Sequence, residues 1–374
     1  MNKKITFITL GDITSIATMK RALGKANPMH ALGWNVSIIA MDCEENRKRI
    51  SLECIPEIEI RWYKPSSIKD EVVQKTLLVK QLRPDYIYFC SFGIRNRIHK
   101  GKLGFNPEII IEHSELASGI PDNKGVKKLI AHIVEYGSVF YADKLVCASV
   151  YLVNLYKSYA ARCFKKNMPI LYSPYAFNKE VIDSPRIVLQ ELRTKYAGKK
   201  VFLYMGIMTR NYGLFTMIDA AEMLLEVRQD FVLILMGRGR HVEEAKNLVK
   251  YKGLTDIVIF PGYTPEEHLS SYFELADAFI SPLNDTVQDK ARCPSKIYMY
   301  LPFQKPIFTC AIGEPKEIFG NKGYYFDNNK PQTLADLMKI SCEGRLSKSV
   351  IPIEEHNWIQ RSIDFDKWIR QSDK

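Results

Sequence analysis

The chain has 374 residues, 46% hydrophobic and 25% charged, with 20 Gly and 18 Pro, a composition that excludes collagen-like, low-complexity and disordered classes. At about 100–200 residues per domain the length predicts two domains, and no charge-free run of roughly 18 apolar residues is present to cross a membrane as a helix. The formal net charge of +11 is lopsided: residues 1–180 carry 27 Lys and Arg against 17 Asp and Glu, residues 181–374 carry 26 against 25, so the first half is expected to meet an anionic partner.

The chain opens basic and turns apolar over residues 5–10, but the run stops at Gly11-Asp12 without a small-residue cleavage site. A buried first strand is predicted there rather than a signal peptide. Residues 16–32 have helical spacing through Ile16, Met19, Leu23 and Ala26, Gly33 stops them, and 34–41 reads as a second strand. Short β-branched or aromatic runs follow at 85–90, 108–112 and 144–148. Alternation of this kind predicts a parallel sheet covered by helices on both faces. The series then restarts after the polar stretch 182–200. Strands are predicted at 201–205, 231–236, 257–261, 278–282 and 306–310, and helices at 215–227, 242–252 and 266–276, with a helix start at 295–301. Such a restart predicts two doubly wound domains, over 1–180 and 195–350, with a linker near 178–198. Residues 351–374 are expected to form a helix packing back on the first domain.

The eight cysteines are scattered without a CxxC pair, which fits reduced, mostly core thiols in a cytoplasmic protein and neither a zinc site nor a disulfide framework. Two basic clusters stand out. Arg95, Arg97, Lys100 and Lys102 lie in one polar loop, and Lys124, Lys127 and Lys128 open a helix-like segment that runs on to Phe140 and Tyr141. That segment reads either as a membrane-face helix or as a core helix with a solvated first turn. No zinc-finger, RNA-recognition or helix-turn-helix signature accompanies the charge, so nucleic acid is not expected as a partner.

Open α/β sheets bind ligands at the carboxyl ends of their strands, with phosphates at helix N-termini. Gly11, Gly206, Gly237, Gly239 and Gly262 each follow a predicted strand, where a missing Cβ lets backbone approach a ligand; any one of them alone is equally a tight-turn glycine. Neither a dinucleotide G-x-G-x-x-G nor a P-loop G-x-x-x-x-G-K-[ST] is present. Two nucleotide-binding folds remain without a dehydrogenase or NTPase fingerprint.

Several segments together carry a resemblance. Tyr204-Met205-Gly206 with Gly213-Leu214, Leu235-Met236-Gly237-Arg238-Gly239, Phe260-Pro261-Gly262-Tyr263, Ser281-Pro282, and Pro294-Ser295-Lys296-Ile297-Tyr298-Met299-Tyr300-Leu301 with Lys305-Pro306 resemble the nucleotide-sugar glycosyltransferases of the two-Rossmann-domain kind (GT-B), family 4 in particular. The likeness implies an α/β fold of two facing Rossmann-like doubly wound domains, the second binding the donor. By resemblance the donor residues are Gly11, Gly206, Arg210, Gly237, Arg238, Tyr263, Pro294, Ser295 and Lys296. Arg210 also reads as an ordinary loop arginine and Ser295 as a plain helix N-cap. His113 in Glu112-His113-Ser114-Glu115 is similar to a sugar-facing histidine, with Glu115 as base or acceptor partner; a structural histidine is the other reading. The chain departs from the pattern where two acids are usual, at Ala291 and Met299, with Asp285, Asp289 and Lys290 as the nearest substitutes.

The resemblance implies transfer of a sugar from a UDP or GDP sugar to a glycan or lipid-linked acceptor, retaining, without a metal or other cofactor. Together with the basic first half it places the activity in bacterial surface polysaccharide assembly, cytoplasmic or at the inner face of the membrane. Two alternatives stay open: a catalytically silent subunit, favoured by Ala291 and Met299, and a nucleotide-sugar 2-epimerase.

Overall fold

The computed structural model describes residues 3–14, 18–180, 189–264, 266–347 and 351–372. The chain divides into two compact units. The first comprises residues 1–179, 291–293 and 354–374; the second comprises 180–290 and 294–353.

Seven strands build the sheet of the first unit: β1 (Lys4–Ile8), β2 (Asn35–Met41), β3 (Glu59–Tyr63), β4 (Tyr86–Phe89), β5 (Glu108–His113), β6 (Lys144–Cys147) and β7 (Ile170–Tyr172). Their order is β3-β2-β1-β4-β5-β6-β7, every pairing parallel. The second unit repeats the scheme with β8 (Lys200–Ile207), β9 (Phe231–Arg238), β10 (Val258–Gly262), β11 (Ala278–Ser281), β12 (Ile307–Thr309) and β13 (Tyr324–Tyr325), ordered β10-β9-β8-β11-β12-β13 and again parallel. In both sheets the order reverses beside the first strand, between β1 and β4 and between β8 and β11. That reversal is the topological switch point at which doubly wound sheets open their ligand crevice.

Side chains alternate across each strand, so the sheet of the first unit has two apolar faces. Phe7, Val36, Ile38 and Ile110 meet the helix Thr18–Ala31 and the carboxyl-terminal helix Trp358–Ser372 through Met19, Leu23, Phe365 and Ile369. Ile8, Ile39, Phe89, Ile109 and Ile111 meet the helices Val126–Tyr141 and Val150–Arg162 on the other side. The terminal helix is keyed in closely: a Cβ on Gly24 would stand 2.4 Å from the Trp358 ring, and Trp34 Nε1 donates to Asp366 at 2.7 Å.

The predicted elements recur with shifts of up to three residues at their ends, except that the carboxyl-terminal helix begins at Trp358 and not at 351. Ile16, the expected helix start, and 181–188 of the expected linker lie outside the described residues. Several elements were not predicted, among them β3, the helix Ile68–Leu82 and the helix Pro331–Cys342. Glu59-Ile60-Arg61-Trp62-Tyr63 is an edge strand whose alternating charges hide it from a search for apolar runs. All eight cysteines are free, four buried and four half-buried, so fewer are core thiols than the sequence suggests.

Candidate active site

In the second unit the carboxyl ends of β8 and β9 meet at two glycines. Gly206 and Gly237 are opposite one another in the ladder, with φ of +152° and +130°. A Cβ on Gly237 would lie 2.0 Å from the Gly206 carbonyl oxygen, and a Cβ on Gly206 would lie 2.7 Å from Lys296 Nζ. Backbone leaves no room for a Cβ at Gly237, whereas at Gly206 the space is taken by the lysine, which a side chain there would displace. The Lys296 ammonium lies 3.9 Å from the centre of the Tyr204 ring and 5.8 Å from that of Tyr212, an aromatic seat that favours a cation.

Lys296 is held there by its short helix, Ser295–Tyr300. The Tyr300 hydroxyl accepts from the Met205 amide at 2.9 Å, and its ring stacks on Phe279 with centroids 4.2 Å apart. Tyr298 donates to the buried Glu314 at 3.0 Å. Pro294 is the cap residue and no side chain caps the helix, so Ser295 is its first residue and not the N-cap the sequence suggested. Met299 is half-buried on the same helix.

Arg210 opens a turn just after β8. Its guanidinium pairs with Glu244 and lies 4.4 Å from the Phe215 ring centre, while its amide donates to His241 Nδ1 at 3.3 Å. Arg238 at the end of β9 lies 5.2 Å from the ring centre of the exposed Tyr263. The acids nearest the substituted positions are used by the loop itself. Asp289 is buried and accepts from the Asn284 amide at 2.6 Å, and Asp285 pairs with Lys290 at 2.5 Å. Ala291 is buried in the first unit, its carbonyl taking the Ser149 hydroxyl at 2.6 Å.

In the first unit β5 sends Glu112 and His113 to opposite faces. His113 is buried on the face covered by the helices Val126–Tyr141 and Val150–Arg162, its ring stacked on Tyr156. Its Nδ1 lies 2.9 Å from the Tyr156 hydroxyl and its Nε2 3.0 Å from the Ser138 hydroxyl. Burial pushes its pKa down to about 3, so the ring is neutral at pH 7 and both nitrogens are engaged. Glu115 is exposed on the loop beyond, its carboxyl raised above the ordinary value by desolvation against the opposing pull of Arg292. Gly11 has φ +66°, and its carbonyl accepts from Asn46 at 3.1 Å.

Two buried charge clusters escaped the sequence reading. Glu112 pairs closely with Arg21, lies 4.0 Å from Lys25 and accepts from the Tyr88 hydroxyl at 2.6 Å. Lys25 in turn donates to Tyr88 at 2.8 Å, and burial pushes its pKa down to about 8. Near the carboxyl edge, Lys75 donates to Glu71 at 2.7 Å and to Asn96 at 2.6 Å, and Arg95 pairs with the other Glu71 oxygen at 2.9 Å. Arg21 with Lys25, and Glu71 with Lys75, are spaced four apart on helices. That spacing was the available signal, but nothing local says the charges are buried. Among the described residues no three His, Cys, Asp or Glu side chains are grouped to hold a metal ion.

Residues 189–361 match the profile of the glycosyl transferases group 1 family. No curated protein matches the chain significantly. Among solved structures, HepE of Anabaena in complex with UDP is similar with a TM-score of 0.74 at 12% identity, over 99% of this chain and 100% of that one. Sucrose-phosphate synthase from Thermosynechococcus elongatus gives 0.74 at 16% identity over 99% of each chain. The lipopolysaccharide outer core galactosyltransferase WaaB gives 0.62 at 14% identity, again over 99% of each. Identities this low establish the fold alone, and it is the two-domain GT-B fold that the sequence led us to expect.

Proposed function

We propose, from the premise that residues 189–361 belong to the glycosyl transferases group 1 family, that this chain moves a sugar from a nucleoside diphosphate donor to an acceptor hydroxyl. The observation that carries this reading is the Lys296 ammonium seated over the Gly206–Gly237 pair at the switch point of the second sheet. A cation beside close-approaching backbone suits a diphosphate, whose charge grows as the glycosidic bond to it breaks. Arg210 and Arg238 lie at the ends of the same two strands, and the neighbour HepE has been solved with UDP and with UDP-glucose, so a UDP sugar is the first donor to try.

On the acceptor side, Glu115 is the group suited to proton transfer, being exposed with a raised pKa. His113, locked between Tyr156 and Ser138, holds the strand end that presents Glu115. The positive first half favours a phosphate-linked lipid or anionic glycan acceptor at a cytoplasmic membrane face, as in bacterial surface polysaccharide assembly. Charge stabilisation by Lys296 and Arg210 needs no metal ion, and retention of configuration is the outcome the family resemblance implies.

Thermal unfolding with UDP, GDP, TDP and CMP and their sugar conjugates tests the donor. A ligand at 100 times its dissociation constant adds about 2.7 kcal/mol. Stabilisation by one nucleotide supports the reading, and stabilisation by none removes it. The second reading, a silent subunit, rests on Ala291 being buried and Met299 apolar where acids are usual. It requires that UDP-sugar be neither hydrolysed nor transferred even when bound.

A further inference from the structure

The helix Val126–Tyr141 packs on the core through Val139, Tyr136 and Tyr141 and carries a second apolar stripe on its outer side. At about 100° per residue, Val126, Leu129, Ile130, Ile133 and Phe140 fall within an arc of about 100°, and all five are exposed, Val126 at 71% and Ile133 at 61%. The opposite, buried side carries Glu135, Ser138 and Val139. Glu135 is the helix's one acid, and it is turned inward to accept from the Ser118 amide at 2.9 Å and from its hydroxyl. The longer apolar stripe of the helix therefore faces water, where a helix covering a core ordinarily carries polar side chains.

A second apolar element stands at the end of this helix. Phe164 has φ +58° and is 97% exposed. Lys165, next to it, donates to the carbonyls of Val139 at 2.9 Å and of Phe140 and Ala142 at 3.2 Å, which ties the Phe164 tip to the helix C-terminus. A non-glycine residue held at positive φ with its whole ring in solvent is a strained arrangement with no packing to recompense it. Exposed lysines stand at both elements: Lys124, Lys127 and Lys128 at the helix start, with Lys127 beside the stripe and Lys128 on the side away from it, and Lys166 at the tip.

We infer that this helix and the Phe164 tip form a surface that enters the headgroup layer of an anionic lipid bilayer. The helix carries no exposed acid of its own, the exposed Asp122 and the Lys100-paired Asp143 lying just outside its two ends, and an apolar stripe with lysines at its start matches a surface that is apolar below and negative above. Lysine stems lie along the acyl boundary while their ammonium groups meet the phosphates. A protein partner would satisfy the stripe equally, but the excess positive charge of this half selects the lipid face. The inference rests on the membrane-facing part of the proposed function and names the surface that serves it; the donor reading is independent of it.

The test is sedimentation with vesicles of 30% phosphatidylglycerol in phosphatidylcholine, compared with phosphatidylcholine alone, at about 0.1 M salt. The wild-type protein is expected to sediment with the anionic vesicles and to stay in solution with the neutral ones. The exposed substitutions Ile133→Ser with Phe164→Ser should lower the bound fraction at least tenfold, and Lys127→Glu with Lys128→Glu should do the same and lose the lipid preference. Wild-type protein that ignores anionic vesicles, or an Ile133→Ser, Phe164→Ser variant that binds like wild type, overturns the inference. So does a wild-type dimer that Ile133→Ser converts to a monomer without any vesicle binding, because the stripe would then meet a second copy. UDP-dependent thermal stabilisation, measured on the same variants, is expected to be unchanged. Its absence from the wild-type protein would count against the donor reading alone.

Discussion

The Lys296 ammonium stands 2.7 Å from the point a Cβ on residue 206 would occupy, so the glycine of one strand and the lysine of a distant helix are one feature. Gly206→Ala must push the ammonium away from its seat on Tyr204 and strain a backbone held at φ +152°. We expect it to fold with a loss of about 1–3 kcal/mol and to bind UDP poorly. Lys296→Met leaves the backbone alone and removes the charge. Hydrogen bonds to charged groups contribute about 1.5–3 kcal/mol, so the UDP dissociation constant should rise about 10- to 100-fold. Calorimetric titration of both variants measures this, and a Lys296→Met protein with wild-type affinity would end the diphosphate reading of this lysine.

Arg210 is a cation held by an exposed ion pair. Its partner Glu244 and the arginine are both about half exposed, and exposed pairs of this kind contribute roughly 0–1 kcal/mol. Breaking the pair is therefore cheap enough for a phosphate to take the guanidinium over. Glu244→Gln should release the arginine and tighten UDP binding by up to about fivefold, the factor that 1 kcal/mol represents. Arg210→Ala should weaken binding without changing the melting temperature. If both variants bind UDP as wild type does, Arg210 serves the loop alone.

The buried cluster beneath β5 holds two cations against one carboxylate, and the three groups are not equivalent. Glu112→Gln would leave Arg21 and Lys25 buried without a counter-charge, a loss of about 3–5 kcal/mol. Lys25→Met removes the cation that burial already depresses to about 8 and leaves the close Arg21–Glu112 pair intact. It is expected to change stability by less than about 1.5 kcal/mol, as a hydrophobic replacement in a packed setting does. Urea unfolding separates the two. Equal losses would mean that the lysine, and not the carboxylate, organises the cluster.

The sequence made the strands and their alternation legible because buried parallel strands read as apolar runs between glycine and proline signals. Gly206 and Gly237 drew notice only as part of a set, because a single glycine after a strand is as readily a tight-turn residue, and their close approach to one another is visible only in the ladder. What stayed hidden depends on distant partners. His113 was legible as a strand-end histidine, but its enclosure by Tyr156 and Ser138 comes from two helices whose packing no local pattern records. Arg21 and Glu112 are 91 positions apart in sequence, and only the fold makes them a pair. The apolar stripe of Val126–Tyr141 was visible as periodicity, yet periodicity alone cannot say whether a stripe faces core or solvent.

His113 supplies the pH prediction. In the unfolded chain its imidazole takes up a proton below about pH 6.5, whereas in the folded unit burial keeps it neutral down to about 3. Between those values unfolding binds a proton, so stability is present in full above pH 6.5 and falls as the pH drops toward 3. At 1.36 kcal/mol per unit the loss reaches about 3–5 kcal/mol at the acid end. His356, in the same unit, is pushed down to about 4 by burial and by Arg361, and its contribution has the same sign over a narrower window. His113→Gln cannot take up that proton in the unfolded state. It should be less stable than wild type at pH 7 by about 1–2 kcal/mol for the altered hydrogen bonds; the gap should close between about pH 6 and 5 and reverse by pH 4, where the proton linkage has cost the wild type about 3 kcal/mol. Urea titrations of the two proteins at pH 7, 6, 5 and 4 measure the gap. A difference that stays constant across the series would show that His113 is protonated in the folded unit as readily as in water, contrary to its enclosure by Tyr156 and Ser138.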